Sequence, residues 1–326
     1  MKFSSITRRS VLKSMALASA ATLSTSLTGC AVSKATDVPV WLGMNQKDLD
    51  DAYSQFIYAP NIGQVIDRWA TNSALARSRL GSPLRFTYGS GSVEALDVFP
   101  TAVPNAPINI FIHGGAWQQG TAESYAFPAE VFVNAGAHYV VPDFSWIQDV
   151  GDSLYPIADQ IRRAIAWVYQ NAEQFGGDAD RIYLSGHSSG GHLAGVMLTT
   201  DWEKEAGLPA DVLKGGLCCS GMFDLKPVRL SSRGEYVKFT DEMEDAFSPI
   251  RHLDNLQAPL IVAYGSYETP EFKRQSRDFA KAVADAGKEV QLIMAENYNH
   301  FEIIETLANP FGILGRAALG QMNIAN

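Results

Sequence analysis

The chain has 326 residues, of which 46% are hydrophobic and 10% aromatic, and its formal net charge at pH 7 is −9. A single α/β domain can reach this length, and a chain of this size buries a large core without disulfides or a structural metal. The acidic balance leaves no basic stripe, which argues against nucleic acid as a partner.

The first 29 residues have the pattern of an export signal. Residues 7–13 (TRRSVLK) resemble a twin-arginine signal, and the mildly apolar stretch 15–27 is too short and too polar to span a membrane. The sequence LTGC at 27–30 resembles a bacterial lipobox, in which Cys30 is lipidated. The alternative is an ordinary signal peptide that contains a cysteine. We therefore expect an exported, periplasmic or cell-envelope lipoprotein that meets the membrane only through the lipid on Cys30.

Residues 30–45 are polar and aperiodic, which is typical of a tether, and residues 46–326 are expected to form one domain. Buried strands are predicted in this domain at 94–100, 108–115, 138–144, 182–184, 213–220, 259–265 and 289–295. Helices are predicted from Pro156, after Ser188 and over 271–287. Such alternation predicts a mostly parallel sheet with helices on both faces. Reactive groups then gather beyond the carboxyl ends of the strands.

No metal or nucleotide cofactor is expected. The sequence lacks an HExxH motif, and no G-x-G-x-x-G opens a helix after a strand. His187 and His192 are five residues apart, which does not align them on one helix face. Cys218 and Cys219 are adjacent within an apolar strand. A strained vicinal disulfide would be possible there, but two buried thiols are the favoured interpretation.

The segment GHSSG at 186–190 has the G-x-S-x-G pattern of a nucleophile elbow. It follows a predicted buried strand and precedes a predicted helix, which is the context that such an elbow needs. The tight turn would place the Ser188 hydroxyl above the sheet at the positive end of the helix. Ser188 is therefore the candidate nucleophile.

A serine nucleophile needs a histidine base, and chain order selects His300. In this arrangement the order along the chain is serine, acid, histidine, so the candidates are His192, His252 and His300. His192 lies on the elbow helix and cannot turn back to the serine, and His252 lies in a polar stretch. His300 follows the last predicted strand, where the base is expected.

The acid should follow the preceding strand, and Glu268 lies three residues beyond the end of the strand 259–265. Glu268 could instead simply cap the helix that begins near Pro270. Asp224 follows the strand before that one and is the rival acid. Glu271 is one helical step further on and is less favoured.

The oxyanion hole is predicted at HGGAW, residues 113–117, which follows a buried strand. Backbone N–H groups of Gly114 and Gly115 would point at one spot without obstruction by side chains, and Ser189 would supply a third donor. His113 is expected to orient this loop by hydrogen bonding rather than to act in catalysis. Trp117 is expected to line the substrate pocket, although it could simply pack.

These motifs together resemble the α/β-hydrolase superfamily, and more narrowly its arylformamidase (kynurenine formamidase)-like and carboxylesterase-like branch. The resemblance rests on HGGAW, on GHSSGGH at 186–192, on YETPEFKRQS at 267–276 and on NHFEII at 299–304. It also includes FDL at 223–225 and LDDAYSQFIYAPN at 49–61. The resemblance implies a triad of Ser188, Glu268 and His300, with oxyanion donors at Gly114, Gly115 and Ser189.

The sequence thus predicts a serine hydrolase that cleaves carboxylic esters of small substrates through an acyl-enzyme. The alternative is an arylformamidase or amidase that hydrolyses N-formyl aryl amides. A more remote alternative is a non-catalytic surface binding protein on the same scaffold. The charged segment 231–247 could be part of a lid over the pocket or a surface loop.

Overall fold

Eight strands form one sheet in the computed structural model, which describes residues 38–324. The strands are β1 (Leu84–Thr87), β2 (Ala95–Phe99), β3 (Ala106–Ile112), β4 (His138–Pro142), β5 (Gly177–His187), β6 (Leu213–Cys219), β7 (Leu260–Gly265) and β8 (Val290–Ala295). Their order in the sheet is β1-β2-β4-β3-β5-β6-β7-β8. β2 runs antiparallel to both of its neighbours, β1 and β4, and the other five neighbouring pairs in residues 38–324 are parallel, so the predicted, mostly parallel sheet is present. The predicted export signal and Cys30 lie outside the described residues.

Ten α-helices connect and cover the strands within residues 38–324. They are α1 (Gln46–Ala52), α2 (Ile62–Leu80), α3 (Ala129–Asn134), α4 (Leu154–Asn171), α5 (Ser189–Leu198), α6 (Trp202–Ala206), α7 (Leu225–Leu230), α8 (Asp241–Ala246), α9 (Pro270–Asp285) and α10 (Ile313–Gln321). Helix α4 begins before the predicted Pro156 because the Ser153 hydroxyl accepts the N–H of Tyr155 at 3.4 Å. No helix in this part of the chain is long and apolar enough to cross a membrane.

Alternate residues of the strands enter two separate cores. On β3, Ile108 and Ile110 belong to one core, whereas Phe111 belongs to the other. The first core is completed by buried side chains of α4, α5 and α9, and the second by those of α2, α3 and α10. Side chains of successive strand residues point to opposite faces, so this division is what a sheet covered on both faces requires.

The adjacent cysteines end β6 as two free, fully buried thiols. Burial raises the pKa of both thiols, which keeps them protonated at neutral pH. The favoured interpretation of this pair, two buried thiols rather than a vicinal disulfide, therefore agrees with the structure. Their strand also brings its carboxyl end to the edge of the sheet where Ser188 lies, because the Cys219 carbonyl accepts the Ser188 N–H at 2.9 Å.

Candidate active site

Ser188 occupies a strained turn between β5 and α5. Its backbone angles are φ 59° and ψ −123°, in a region that residues with a side chain rarely adopt. A Cβ on Gly186 would lie 2.3 Å from the Gly190 carbonyl oxygen, and a Cβ on Gly190 would lie 2.1 Å from the Ile112 carbonyl oxygen. Gly186 and Gly190 are therefore required, because a side chain at either position would collide with the backbone and prevent the elbow from forming.

The structure brings the three predicted triad residues into one chain of hydrogen bonds. The Ser188 hydroxyl donates to Nε2 of His300 at 2.9 Å, and Nδ1–H of His300 donates to Oε2 of Glu268 at 2.8 Å. Their exposed fractions are 8% for Ser188, 3% for His300 and 0% for Glu268. The three side chains come from turns after β5, β8 and β7, at the carboxyl edge of the sheet.

The Glu268 carboxylate accepts further hydrogen bonds that fix its orientation. Its Oε1 accepts from the Ser220 hydroxyl at 2.6 Å and from the Gly265 N–H at 2.7 Å. Its Oε2 also accepts from the Gln55 side-chain amide at 3.1 Å. Thr269, not Glu268, caps the start of α9. Glu268 therefore does not serve as the cap of α9, which was the alternative role.

The rival acids are bonded elsewhere. Asp224 caps α7 through the N–H of Lys226 and pairs with Arg251 at 3.2 Å. Glu271 pairs with Arg274 at 2.7 Å and accepts the Tyr53 hydroxyl. No hydrogen bond joins either carboxylate to a histidine within residues 38–324, which leaves Glu268 as the acid beside His300.

Two other histidines, His187 and His113, donate hydrogen bonds to backbone carbonyls of the site. Nε2–H of His187 donates to the His300 carbonyl at 2.8 Å, and burial together with the neighbouring His300 keeps the pKa of His187 well below its usual range. His113 donates from Nδ1 to the Gly114 carbonyl at 3.0 Å and stacks on Phe144 with ring centroids 4.1 Å apart. His113 thus orients the loop, as predicted. The contribution of His187 was not foreseen, although it stands inside the GHSSG motif.

The predicted oxyanion loop lies against the nucleophile. A Cβ on Gly114 would lie 3.2 Å from the Ser188 Cβ, and Gly115 has a φ of +126°, which glycine tolerates. The Ser189 hydroxyl accepts the N–H of Trp117 at 3.2 Å, which ties the loop to the start of α5. Ala116, with φ 55°, lines the same space. It belongs to the predicted HGGAW loop, although it is not one of the predicted oxyanion donors.

One cavity of about 250 Å³ opens beside Ser188, and we call it the Ser188 cavity. Its lining includes the three loop residues 114–116, the Ser188 and His300 side chains and several aromatic rings. The aromatic lining residues are Tyr53, Phe56, Trp69, Tyr125 and Phe301. The Ser188 cavity therefore offers a small surface that includes five aromatic rings to a bound molecule.

The prediction that Trp117 lines the pocket is wrong. Its side chain is 1% exposed, belongs to the first core and meets the His192 ring edge-on at 5.2 Å. Trp117 is not among the residues that line the Ser188 cavity. The reason is local, because positive φ angles at both Ala116 and Trp117 turn the chain and direct the indole into the core.

Segment 231–247 is bonded to the body of the domain in the structure. The Ser232 N–H donates to Asp50 at 2.7 Å, and the Lys238 N–H donates to the Asp152 carbonyl at 2.9 Å. Of this segment, only Arg233 lines the Ser188 cavity. Arg233 and Gln55 are two polar cavity residues that the sequence did not predict, since both reach the site from segments outside the predicted strands and helices.

The chain is similar to one family model and to several known proteins. A family model described as BD-FAE matches residues 96–216. The chain is 32% identical over 292 residues to a kynurenine formamidase of Danio rerio, which covers 86% of this chain and 97% of that protein. It is 28% identical over 241 residues to the esterase LipC of Mycobacterium tuberculosis, which covers 64% of this chain and 56% of LipC. The solved structure of a candidate thioesterase from Silicibacter sp. TM1040 matches with a TM-score of 0.72 and 27% identity, over 82% of this chain and 97% of that one.

The fold and these relatives define an α/β hydrolase, so the predicted fold class is confirmed. Within that class the chain belongs to the kynurenine formamidase family. Its relatives include both esterases and formamidases, and the protein is accordingly a hydrolase that acts on ester or amide bonds.

Proposed function

We propose that the protein is a serine hydrolase in which Ser188 is the nucleophile, His300 the general base and Glu268 the acid that orients the base. The observation that carries this proposal is the unbroken hydrogen-bond chain from Ser188 through His300 to Glu268 beside an open cavity. A serine hydroxyl is a poor nucleophile at neutral pH, and such a chain is the arrangement that activates it.

The reaction proceeds through an acyl-enzyme. His300 accepts the Ser188 proton as Oγ attacks the carbonyl carbon, and Glu268 stabilises the imidazolium that forms. The N–H groups of Gly114, Gly115 and Ser189 are the proposed donors to the oxyanion, with Ala116 as a further candidate in the same loop. His300 then protonates the leaving group, and a water molecule, deprotonated by His300, hydrolyses the acyl-enzyme and regenerates Ser188.

The proposed substrates are carboxylic esters of small compounds. The size and aromatic lining of the Ser188 cavity favour an aryl group on the substrate. N-formyl aryl amides are the second candidate. This candidate is favoured by the relative named kynurenine formamidase, which the chain matches over nearly its whole length, whereas the match to LipC covers about half of that esterase.

The test compares initial rates on phenyl acetate and on formanilide, with wild-type protein and with Ser188→Ala. We expect Ser188→Ala to lower kcat by about 10³-fold or more, because members of a triad act as a unit. Ser90→Ala is the matched control, since Ser90 is exposed and lies away from the cavity. The ratio of kcat/KM for the two substrates decides between esterase and formamidase.

Two outcomes would contradict the proposal. Activity of Ser188→Ala within tenfold of wild type would exclude Ser188 as the nucleophile. Absence of turnover on either substrate, together with no labelling of Ser188 by a fluorophosphonate, would favour the remaining hypothesis of a non-catalytic binding protein.

A further inference from the structure

A run of residues beside the Ser188 cavity carries no charge although half of it is exposed. Residues 53–66 (YSQFIYAPNIGQVI) contain no Asp, Glu, Lys or Arg, in a chain of which 19% is charged. Seven of these 14 residues are exposed. The uncharged run 182–200, by contrast, is buried at every position, so burial in the core explains its composition. Exposure without charge is therefore the property of 53–66 that needs an explanation.

Four large side chains of this run form a surface that we call the 56–66 patch. They are Phe56, Ile57, Tyr58 and Ile66, with exposed fractions of 54%, 57%, 38% and 41%. Phe56 and Ile57 lie on a short helical turn that ends at Tyr58, whereas Ile66 lies on α2. Phe56 and Ile66 both line the Ser188 cavity. Because these two side chains are also exposed, the 56–66 patch lies where the cavity opens to solvent.

The charges that flank the 56–66 patch do not favour an anionic partner. Residues 47–68 contain two basic and four acidic residues. Both basic residues are paired, Lys47 with Asp51 and Arg68 with Glu305, the latter at 2.7 Å. Anionic lipids are drawn to clusters of Lys and Arg, which this segment lacks. The patch therefore fits an apolar partner whose surface has no net charge.

The size of the 56–66 patch fits a lipid surface better than a second copy of the chain. A stable protein–protein interface involves about 20–30 residues a side, far more than four side chains. At a bilayer, a few apolar and aromatic side chains enter the headgroup region to a depth of about 5–10 Å. Tyr58 suits that region because its ring is apolar and its hydroxyl is polar.

The predicted lipid on Cys30 is the reason to expect a bilayer nearby. Cys30 lies outside the described residues, and nine residues along the chain lead from it to Pro39. A stretch of nine residues reaches about 30 Å when it is fully extended. A lipid on Cys30 would therefore keep the domain at a high local concentration next to the bilayer, where insertion of a few side chains suffices.

We propose that Phe56, Ile57, Tyr58 and Ile66 insert into the surface of a lipid bilayer without net charge, so that the mouth of the Ser188 cavity faces the lipid. This inference goes beyond the proposed hydrolysis, because it assigns a docking surface and its partner. The competing explanation is that the 56–66 patch is ordinary exposed surface, since single exposed apolar residues are common in soluble proteins.

The first experiment places the polarity-sensitive fluorophore NBD on the 56–66 patch. The protein is the full chain with Cys30→Ser, which cannot be lipidated, and Ile57→Cys supplies the thiol to be labelled. Cys218 and Cys219 are fully buried and do not compete for the label. In excess phosphatidylcholine vesicles, we expect the emission at position 57 to shift to shorter wavelength. Phosphatidylcholine that carries a nitroxide should quench it, because the fluorophore enters the bilayer surface.

Val103→Cys in the same chain is the matched control. Val103 is 48% exposed and lies in the loop before β3, at the end of this strand opposite to the Ser188 cavity. We expect neither a shift nor quenching at position 103. Unchanged emission at position 57, or equal quenching at both positions, would overturn the proposal.

A second experiment measures how variants of the Cys30→Ser chain partition onto phosphatidylcholine vesicles, by co-sedimentation. Ile57→Asp should lower the partition coefficient about tenfold, because an inserting apolar side chain leaves water whereas a carboxylate resists doing so. Ile57→Phe keeps an apolar side chain and should retain the binding. Val103→Asp places the same carboxylate away from the 56–66 patch and should stay within about twofold of its parent. Equal partition of Ile57→Asp and Val103→Asp would overturn the proposal.

Two comparisons exclude other modes of binding. Partition onto phosphatidylglycerol vesicles should be no stronger than onto phosphatidylcholine, and stronger, salt-sensitive binding would overturn insertion of apolar side chains as the cause. Analytical ultracentrifugation without lipid should give the same mass for Ile57→Asp and for its parent. A dimer of the parent that Ile57→Asp abolishes would identify a second copy as the occupant and overturn the proposal. None of these measurements uses turnover, so a protein that docks on lipid without hydrolysing esters or amides would contradict the proposed function alone.

Discussion

At the scale of single residues, Gln55 links the segment that follows α1 to the proposed catalytic acid. Its amide nitrogen donates to Oε2 of Glu268, the same oxygen that accepts Nδ1–H of His300, and its amide oxygen accepts the Thr269 N–H at 3.4 Å. Gln55 is 4% exposed, so water does not readily replace these bonds. We infer that Gln55 is a positioning residue, which acts on the base through Glu268.

The change Gln55→Leu should lower kcat about tenfold and alter KM less. The variant removes one of the two donors to Oε2 of Glu268 and leaves the buried Thr269 N–H without its acceptor. A buried polar group without a partner costs about 1–3 kcal/mol, part of which would appear as misplacement of the acid. Steady-state kinetics on the substrate found to be cleaved would measure both constants. Gln64→Leu on the exposed side of α2 is the matched control and should keep the wild-type kcat. A Gln55→Leu protein with wild-type kcat would exclude the positioning role.

The residues of the site differ in how far the sequence alone could predict them. Ser188 and Glu268 each follow a strand with a buried carboxyl end, and His300 follows β8, which lies at the edge of the sheet and is largely exposed although the sequence predicts it to be buried. Because these three strands are parallel, the chain order still places the residues at one edge, where the structure brings them together. Gln55 and Arg233 come from irregular segments whose paths depend on tertiary packing. No periodicity in the sequence encodes such paths.

At the scale of elements, the junction of β5 and α5 depends on backbone contacts that tolerate no side chain. Gly190 lies against the carbonyl of Ile112 at the end of β3, and Gly191 lies against the carbonyl of Cys219 at the end of β6. Helix α5 is buried along its whole length, which explains its apolar sequence. The elbow thus locks the helix to both strands that flank β5.

The change Gly190→Ala should destabilise the fold by about 3 kcal/mol or more. Its Cβ would lie 2.1 Å from the Ile112 carbonyl oxygen, and neither backbone can move away without disturbing the sheet. Gly63→Ala on α2 is the matched control, since beyond the adjoining backbone of α2 no atom of residues 38–324 lies within 4 Å of the added Cβ. This variant should be neutral or slightly stabilising. Urea unfolding of both variants measures the effect, and equal stabilities would show that the elbow has more room than the structure indicates.

The predicted elements agree with the structure where the sequence is strongly apolar and disagree where it is not. Strand β5 extends from Gly177, five residues before the predicted start, because Gly177 still pairs with Ala106 of β3 before an irregularity in the register. Helix α2 was not predicted. Only four of its 19 residues are buried, so the apolar stripe that signals an amphipathic helix is weak.

At the scale of the whole molecule, the two cores enclose several histidines as neutral groups. His113, His187 and His192 are all fully buried, and burial lowers the pKa of each of them. His192 has a pKa of about 4 in the folded protein, and its Nε2–H donates to the Phe247 carbonyl at 2.9 Å. Neutral imidazoles are therefore built into the fold on both sides of the elbow.

This arrangement predicts that the protein loses stability on mild acidification. Unfolded histidines have a pKa near 6.5, so between about pH 6.5 and 4 the unfolded chain binds protons that the folded chain excludes. The free energy of unfolding should thus be fully retained above pH 6.5 and should fall as the pH drops towards 4, by roughly 3 kcal/mol for His192 alone. Urea unfolding at pH 8, 7, 6, 5 and 4.5 measures the slope of the unfolding free energy against pH.

The variant His192→Gln should reduce that slope below pH 6.5. Between pH 7 and 8 the slope should equal that of wild type, because the imidazoles are neutral in both the folded and the unfolded state at that pH. An unchanged slope below pH 6.5 would show that His192 takes up its proton in the folded protein, and the account of the buried imidazoles would then be wrong.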